Sequence, residues 1–248
     1  MDVFHRLFAD QANVAAGMSF RKDGDMRICA ANDAVRADAL TRRRAYLDGQ
    51  LPKHTIAAPL LVHGVSVAVV TGLESPWNGN ALFHRTDALV TAAPGVALTV
   101  TAADCLPILF FDTNRRIIGI AHAGWRGLVA PDGGVLAATV ATLVGLGASP
   151  EHLRVEIGPS IGPCHYPVRN DVRDAVRRVV GDSAFVGDAV DLRRVAIHVL
   201  ADLGVPAAAI ATDSPCTVCA QDRFFSYRVD GANPPLAGMA WIAMQRPG

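Results

Sequence analysis

The side chains able to do chemistry gather in three short segments: Val62-His63-Gly64, Ala103-Asp104-Cys105-Leu106-Pro107 and Ala121-His122-Ala123-Gly124-Trp125-Arg126-Gly127. Two imidazoles and one thiolate, from His63, Cys105 and His122, are the borderline-soft donors that zinc accepts, and three protein ligands leave one coordination position open. A metal held in that way lowers the pKa of its bound water or polarises a substrate oxygen, which suits hydrolysis or group transfer. The same residues admit a metal-free reading in which Cys105 is a nucleophile and His122 its base. They also admit a plain one, in which both are core side chains. Spacing does not separate these readings, because the three residues come from distant segments with no His-x-x-x-His type of signature.

Further polar residues flank the trio. Trp125-Arg126-Gly127 sets an aromatic ring and a guanidinium just past His122, with Gly124 and Gly127 allowing close backbone approach, so Arg126 is a candidate anion clamp. The Gly/Pro-rich run from Gly158 to Tyr166 reads as a rigid site wall carrying Ser160 and Tyr166. Neither a dinucleotide nor a P-loop glycine pattern occurs. Cys216-Thr217-Val218-Cys219 is a lone Cys-x-x-Cys; a zinc ribbon needs a second pair and a thioredoxin-like motif opens a helix, whereas Pro215 and Gln221-Asp222-Arg223 indicate a loop. A redox or metal role for the pair is therefore the minority reading, and Cys29, with no partner signature, is read as structural.

Strand-like flanks position these segments. Short, largely β-branched apolar runs predict strands within 60–73 and over 96–100, 106–112 and 117–121, with a turn at 113–116. Each chemistry-bearing segment then sits at a strand end. Helices are predicted over 32–48, where many arginines read as a solvated face, and over 134–146, 170–180 and 191–203. The last has Asp191 as N-cap, Gly204 beyond its end, and Leu192, Val195, Ala196, Val199 and Leu203 on one stripe. Further strands are expected over 153–157, 207–212, 224–228 and 239–244. This irregular interleaving implies an α/β (α+β) fold of mixed sheets covered by helices.

Composition bounds the partners. The 248 residues are 51% hydrophobic and 19% charged, enough for a large core, and no linker divides them, so 1–248 is read as a single domain. Lys+Arg 23 balance Asp+Glu 23, which steers the chain toward neither nucleic acid nor an anionic membrane and leaves a small molecule as partner. The first twenty residues offer no uninterrupted apolar region for a signal peptide, and the longest apolar runs are too short to span a bilayer. Five cysteines do not resemble a secreted disulfide framework, so a reducing cytoplasm is expected.

Taken in order, VHG, ADCLP, HAGWRG, GPSIGPCHY and FFSYR resemble the laccase-domain family, also called YfiH-like or peptidoglycan editing factor proteins. Arg85 to Thr91 and Ser214 to Thr217 support the match, which runs from about His63 to Trp241. The resemblance implies a single YfiH-like, cytotoxic necrotizing factor-like domain in which His63, Cys105 and His122 bind one zinc. It further implies phosphorolysis of purine nucleosides (adenosine, inosine, methylthioadenosine) with phosphate as co-substrate, and adenosine deamination in some members. Within that reading Asp104 orients a ligating histidine or acts as acid/base, Cys105 and His122 sit at the reacting centre, Arg126 clamps phosphate or substrate, and Ser160 and Tyr166 contact substrate. A monomer or weak homodimer is expected.

Departures from the family pattern fall at Leu61, Ala102, Pro167 and Leu236-Ala237-Gly238, and near the N-terminus only Arg21 and Gly24 echo the usual motif. Three readings compete with phosphorolysis: a cysteine hydrolase or amidase acting on peptidoglycan fragments, a copper-dependent polyphenol oxidase, and a binding protein with impaired turnover. Multicopper oxidation ranks last because the eight histidines include no His-x-His pair, although copper could replace zinc at a nitrogen and sulfur site.

Overall fold

A computed structural model describes residues 13–28, 33–51, 53–72, 80–231 and 236–245. The first twelve residues, Cys29 and the first residue of the predicted 32–48 helix, Asn32, therefore lie outside the described residues.

Alternation along the strands decides the layers. In β7 (Leu106–Asp112), Leu106, Ile108 and Phe110 face one core while Leu109 and Phe111 face another, as a period of two requires. Its neighbour β8 (Ile117–Ala123) repeats this: Ile117 and Ala121 point one way, Ile118 and Ile120 the other. Both strands are buried on both faces, which accounts for their unbroken apolar runs.

These strands belong to a six-stranded sheet ordered β12-β9-β7-β8-β5-β3, with β3 Val67–Val69, β5 Ala88–Thr91, β9 Leu153–Ile157 and β12 Ile210–Ala211. The pairs at its two ends are parallel and the three between them antiparallel. A five-stranded sheet, ordered β1-β13-β6-β2-β4, contains β1 Val14–Met18, β2 Thr55–Leu60, β4 Asn80–His84, β6 Val96–Ala102 and β13 Gly238–Met244. The two sheets pack face to face through Leu98, Val100, Leu109, Phe111, Ile118, Ile120 and Ile242, each such burial stabilising by about 1.5–3 kcal/mol. A two-residue hairpin, β10 (Phe185–Val186) with β11 (Ala189–Val190), stands apart.

Helices cover the outer faces. After the short α2 (Trp125–Leu128), α3 (Gly134–Gly145), α4 (Asn170–Val180) and α5 (Leu192–Asp202) cover the six-stranded sheet. Val172, Val176 and Val180 make the buried stripe of α4 at i, i+4 spacing, and the Asp191 side chain caps α5 by accepting from the Arg193 N–H. On the five-stranded sheet lies α1 (Asp33–Asp48), whose buried Leu40, Arg43 and Leu47 fall on one stripe. The arginines of α1 are thus not all solvated: Arg43 is 1% exposed, donating from Nε to Met26 O (2.8 Å) and from Nη1 to Thr99 Oγ1 (3.2 Å).

Three predicted strand regions differ. Within 60–72 only Leu60, the last residue of β2, and Val67–Val69 pair, and 61–66 form the loop that carries His63. Over 207–212 only Ile210–Ala211 pairs, because Ala207–Ala209 after Pro206 coil into a 3-10 turn. Over 224–228 the chain turns into a short helix, Tyr227–Asp230, after Ser226: the Asp230 carboxylate accepts from the Ser226 N–H, while the side chains of Phe224 and Phe225 are buried. No helix among the described residues is long and apolar enough to cross a membrane.

Candidate metal centre

Both sheets contribute to one cleft of about 710 Å³, whose wall includes His63, Asp104, Cys105, His122, Arg126 and Tyr166. His122 is the last inter-sheet position of β8. Its Nδ1 lies 2.8 Å from the Thr101 carbonyl oxygen of β6, in the opposite sheet. A carbonyl only accepts, so Nδ1 carries the proton and Nε2 presents its lone pair. That Nε2 is buried and has no hydrogen-bond partner. Burial first, then His63, pulls the His122 pKa down to about 4, so the ring is neutral at ordinary pH. A buried, neutral, unpartnered lone pair is a poor core group and a good metal ligand.

Cys105 lies where the chain crosses from β6 to β7. Burial, followed by the carboxylates of Asp104 and Asp87, pushes its pKa up to about 12. Without a cation beside it the sulfur stays a thiol, which disfavours a metal-free nucleophile. His63 follows β2 on an exposed loop with φ +58°. The Asp87 carboxylate holds that loop by accepting from three backbone N–H groups: Val62 (3.1 Å), His63 (2.7 Å) and Gly64 (2.8 Å). A left-handed non-glycine costs about 1–2 kcal/mol, and these charge-assisted bonds offset it.

The ligand atoms of His63, Cys105 and His122 all lie within 4.8 Å of one another, and the two rings meet edge to face with centroids 4.9 Å apart. The absence of a side chain at Gly124 permits this, since a Cβ there would come within 3.0 Å of Cys105 Sγ and 3.4 Å of His63 Cδ2. Three convergent donors, one of them an orphaned nitrogen, fit a metal ion.

The other predicted residues separate. Arg126 is exposed on the cleft wall with its guanidinium 4.4 Å from the Trp125 ring centroid, and the Arg228 guanidinium lies 5.5 Å from the Tyr166 ring. Burial raises the Tyr166 phenol to about 12, so it remains a hydrogen-bond donor. Asp104, with φ +85°, does not orient a ligating histidine; the Thr101 carbonyl does that for His122. Instead its carboxylate accepts from Thr217 Oγ1 (2.6 Å), Ser226 Oγ (3.1 Å) and the Arg228 N–H (2.9 Å). Ser160 is fully buried, and its hydroxyl and carbonyl oxygens accept from Arg193 Nε and Nη2, which ties it to α5 rather than to the cleft. Leu61, Ala102 and Ala237 line the cleft.

Two groups escape sequence reasoning. Asp87 acts through backbone N–H groups, which leave no spacing signal. The Cys-x-x-Cys pair is not alone, since Cys164 and His165 stand beside it and the four together form a second group able to hold a metal ion. The Cys-His dipeptide was the signal, half of a four-ligand set in two loops.

Fold and site define an α/β sandwich protein with a cleft able to hold a metal ion. The chain belongs to the family described as multi-copper polyphenol oxidoreductase laccase, whose model matches residues 28–243. It is 37% identical over 248 residues to the purine nucleoside phosphorylase ORF3 of Streptomyces griseus, covering 96% of this chain and 94% of that one. To the purine nucleoside phosphorylase YfiH of Escherichia coli (strain K12) it is 35% identical over 207 residues, 81% of this chain and 79% of the relative. The crystal structure of Bacillus licheniformis hypothetical protein YfiH superposes with a TM-score of 0.83 at 27% identity, covering 94% of this chain and 93% of that one.

Proposed function

We propose that the protein is a zinc-dependent purine nucleoside phosphorylase acting on inosine, adenosine or methylthioadenosine, with residues 1–248 forming one domain. The observation that carries the reading is the orphaned His122 Nε2, converging with Cys105 and His63 in a cleft that also presents Arg27, Arg126 and Arg228. His63, Cys105 and His122 would hold the zinc. When bound, that ion supplies Lewis acidity at the reacting centre. Names of the relatives support the nucleoside and phosphate as substrates.

The chain's own residues perform the remaining work. Phosphorolysis requires a phosphate aimed at the anomeric carbon and stabilisation of the departing base. Guanidiniums bind phosphate oxygens in fork geometry, so Arg126, over the Trp125 ring, and Arg228, over Tyr166, are the phosphate clamp. The Tyr166 hydroxyl, held protonated, donates a hydrogen bond to substrate oxygen or nitrogen. Asp104 is a positioning residue, fixing Cys105 and the Thr217 and Ser226 loops together. Free thiols at Cys105, Cys164, Cys216 and Cys219 suit a cytoplasmic setting.

The test is release of hypoxanthine from inosine with and without phosphate. Release that depends on phosphate and is lost in the Cys105→Ala variant is expected. Base release without phosphate would replace the reading with hydrolysis, and ammonia release from adenosine would add deamination to it.

A further inference from the structure

We propose that Cys164, His165, Cys216 and Cys219 form a second metal site, closed and four-coordinate, for a thiophilic divalent cation of the zinc class. Three of the four residues are cysteines, and all four ligand atoms lie within 4.8 Å of one another. Cys164 Sγ and Cys219 Sγ are 3.6 Å apart. His165 Nδ1 lies 3.2 Å from Cys164 Sγ, 3.5 Å from Cys219 Sγ and 3.8 Å from Cys216 Sγ. A tetrahedral zinc with bonds of about 2.3 Å to sulfur and 2.0–2.1 Å to nitrogen sets S···S edges near ~3.8 Å and S···N edges near ~3.5 Å. The Cys164–Cys219 pair and the three His165–sulfur pairs already stand near those separations.

Other accounts explain less. A disulfide would join two sulfurs at about 2.05 Å and leave the third thiol and the imidazole clustered without cause. Hydrophobic packing does not apply to Cys164 and Cys219, which are exposed. Cys216 also accepts the Gly162 N–H at 3.2 Å, the kind of backbone donor that stabilises a metal-bound thiolate. Three thiolates and one imidazole complete four-fold coordination, so no position remains for substrate and the role is structural.

The site joins two loops. Cys164 and His165 belong to the loop that carries Tyr166 into the cleft, while Thr217, inside the Cys-x-x-Cys turn, donates to Asp104 beside Cys105. A parallel bridge already pairs Ser160 with Cys216, and the Thr217 N–H donates to the Ser160 carbonyl at 3.1 Å. An ion at the four side chains would clamp the loop pair that walls the catalytic cleft. This proposal does not rest on the phosphorylase reading.

The experiment uses the full chain, purified under reductant, exchanged into zinc and assayed for bound metal by elemental analysis. About two equivalents are expected for the natural protein, and about one for each of His63→Ala/Cys105→Ser and Cys164→Ser/Cys219→Ser. Cobalt(II) then separates the sites: the folded His63→Ala/Cys105→Ser variant should give the intense bands of a tetrahedral, thiolate-rich centre. That spectrum decides the matter by itself if Cys164→Ser/Cys219→Ser fails to fold. A folded His63→Ala/Cys105→Ser variant that binds neither zinc nor cobalt would overturn the proposal, as would an unchanged metal content in folded Cys164→Ser/Cys219→Ser. A phosphorylase assay that fails while the cobalt spectrum appears would sink only the functional reading.

Discussion

The cleft trio and the surface quartet offer the same ligand chemistry in opposite arrangements. In the cleft, three donors come from a loop, a sheet crossover and a strand, and His122 Nε2 is buried without a partner. At the surface, four donors come from two loops, and each ligand nitrogen or sulfur has another within 3.2–3.8 Å. Three ligands leave room for a reacting molecule; four do not. With a metal bound at each as proposed, ligand number and burial, rather than ligand type, would separate a reacting centre from a bracing one. Asp104 connects them, accepting from Thr217 of the quartet's turn while it neighbours Cys105 of the trio.

The largest effect should follow from breaking the trio. His122→Ala removes the ligand that no other group replaces, so phosphorolysis should fall about a thousandfold, the several kcal/mol expected of a catalytic metal, with circular dichroism unchanged. Steady-state kinetics on inosine checks this. Next comes the link between the regions. Asp104→Ala strands three donors and should cost about 3 kcal/mol in urea unfolding, since it removes a buried charged acceptor with no replacement. If stability is unchanged, Asp104 does not join the two sites.

Asp87→Asn sharpens the comparison from the loop side. An amide cannot accept all three N–H groups of Val62, His63 and Gly64, so the His63 loop should loosen and cleft metal affinity should fall roughly 10–100-fold, read by competition with a chromophoric chelator. Metal content at the quartet should not change. The smallest effect is at the rim: Arg126→Ala should raise the phosphate KM about tenfold with little change in kcat, and Arg126→Lys should not restore it, because an ammonium lacks the flat fork that stacks on Trp125.

What the sequence disclosed follows from locality. Strands β7 and β8, the helix capped by Asp191, and the strand-end placement of His63, Cys105 and His122 are written in periods and punctuation over a few residues. Features that depend on distant partners were not. Arg43 reads as one of many surface arginines until Met26 and Thr99, 17 and 56 residues away, supply its acceptors. Its place on the Leu40–Leu47 stripe was the available sign. Phe224 to Arg228 has strand composition, but the Asp230 carboxylate turns Ser226 into a helix start. Cys164 and Cys219 are 55 residues apart, so the Cys-x-x-Cys pair looked solitary until folding brought its complement alongside.

The most direct test of the account is an anomalous-difference X-ray map recorded at the zinc edge from crystals grown with zinc. A peak is expected about 2.0–2.1 Å from His122 Nε2, bonded also to His63 and Cys105. A well-ordered cleft with the three side chains in place and no peak among them would contradict it.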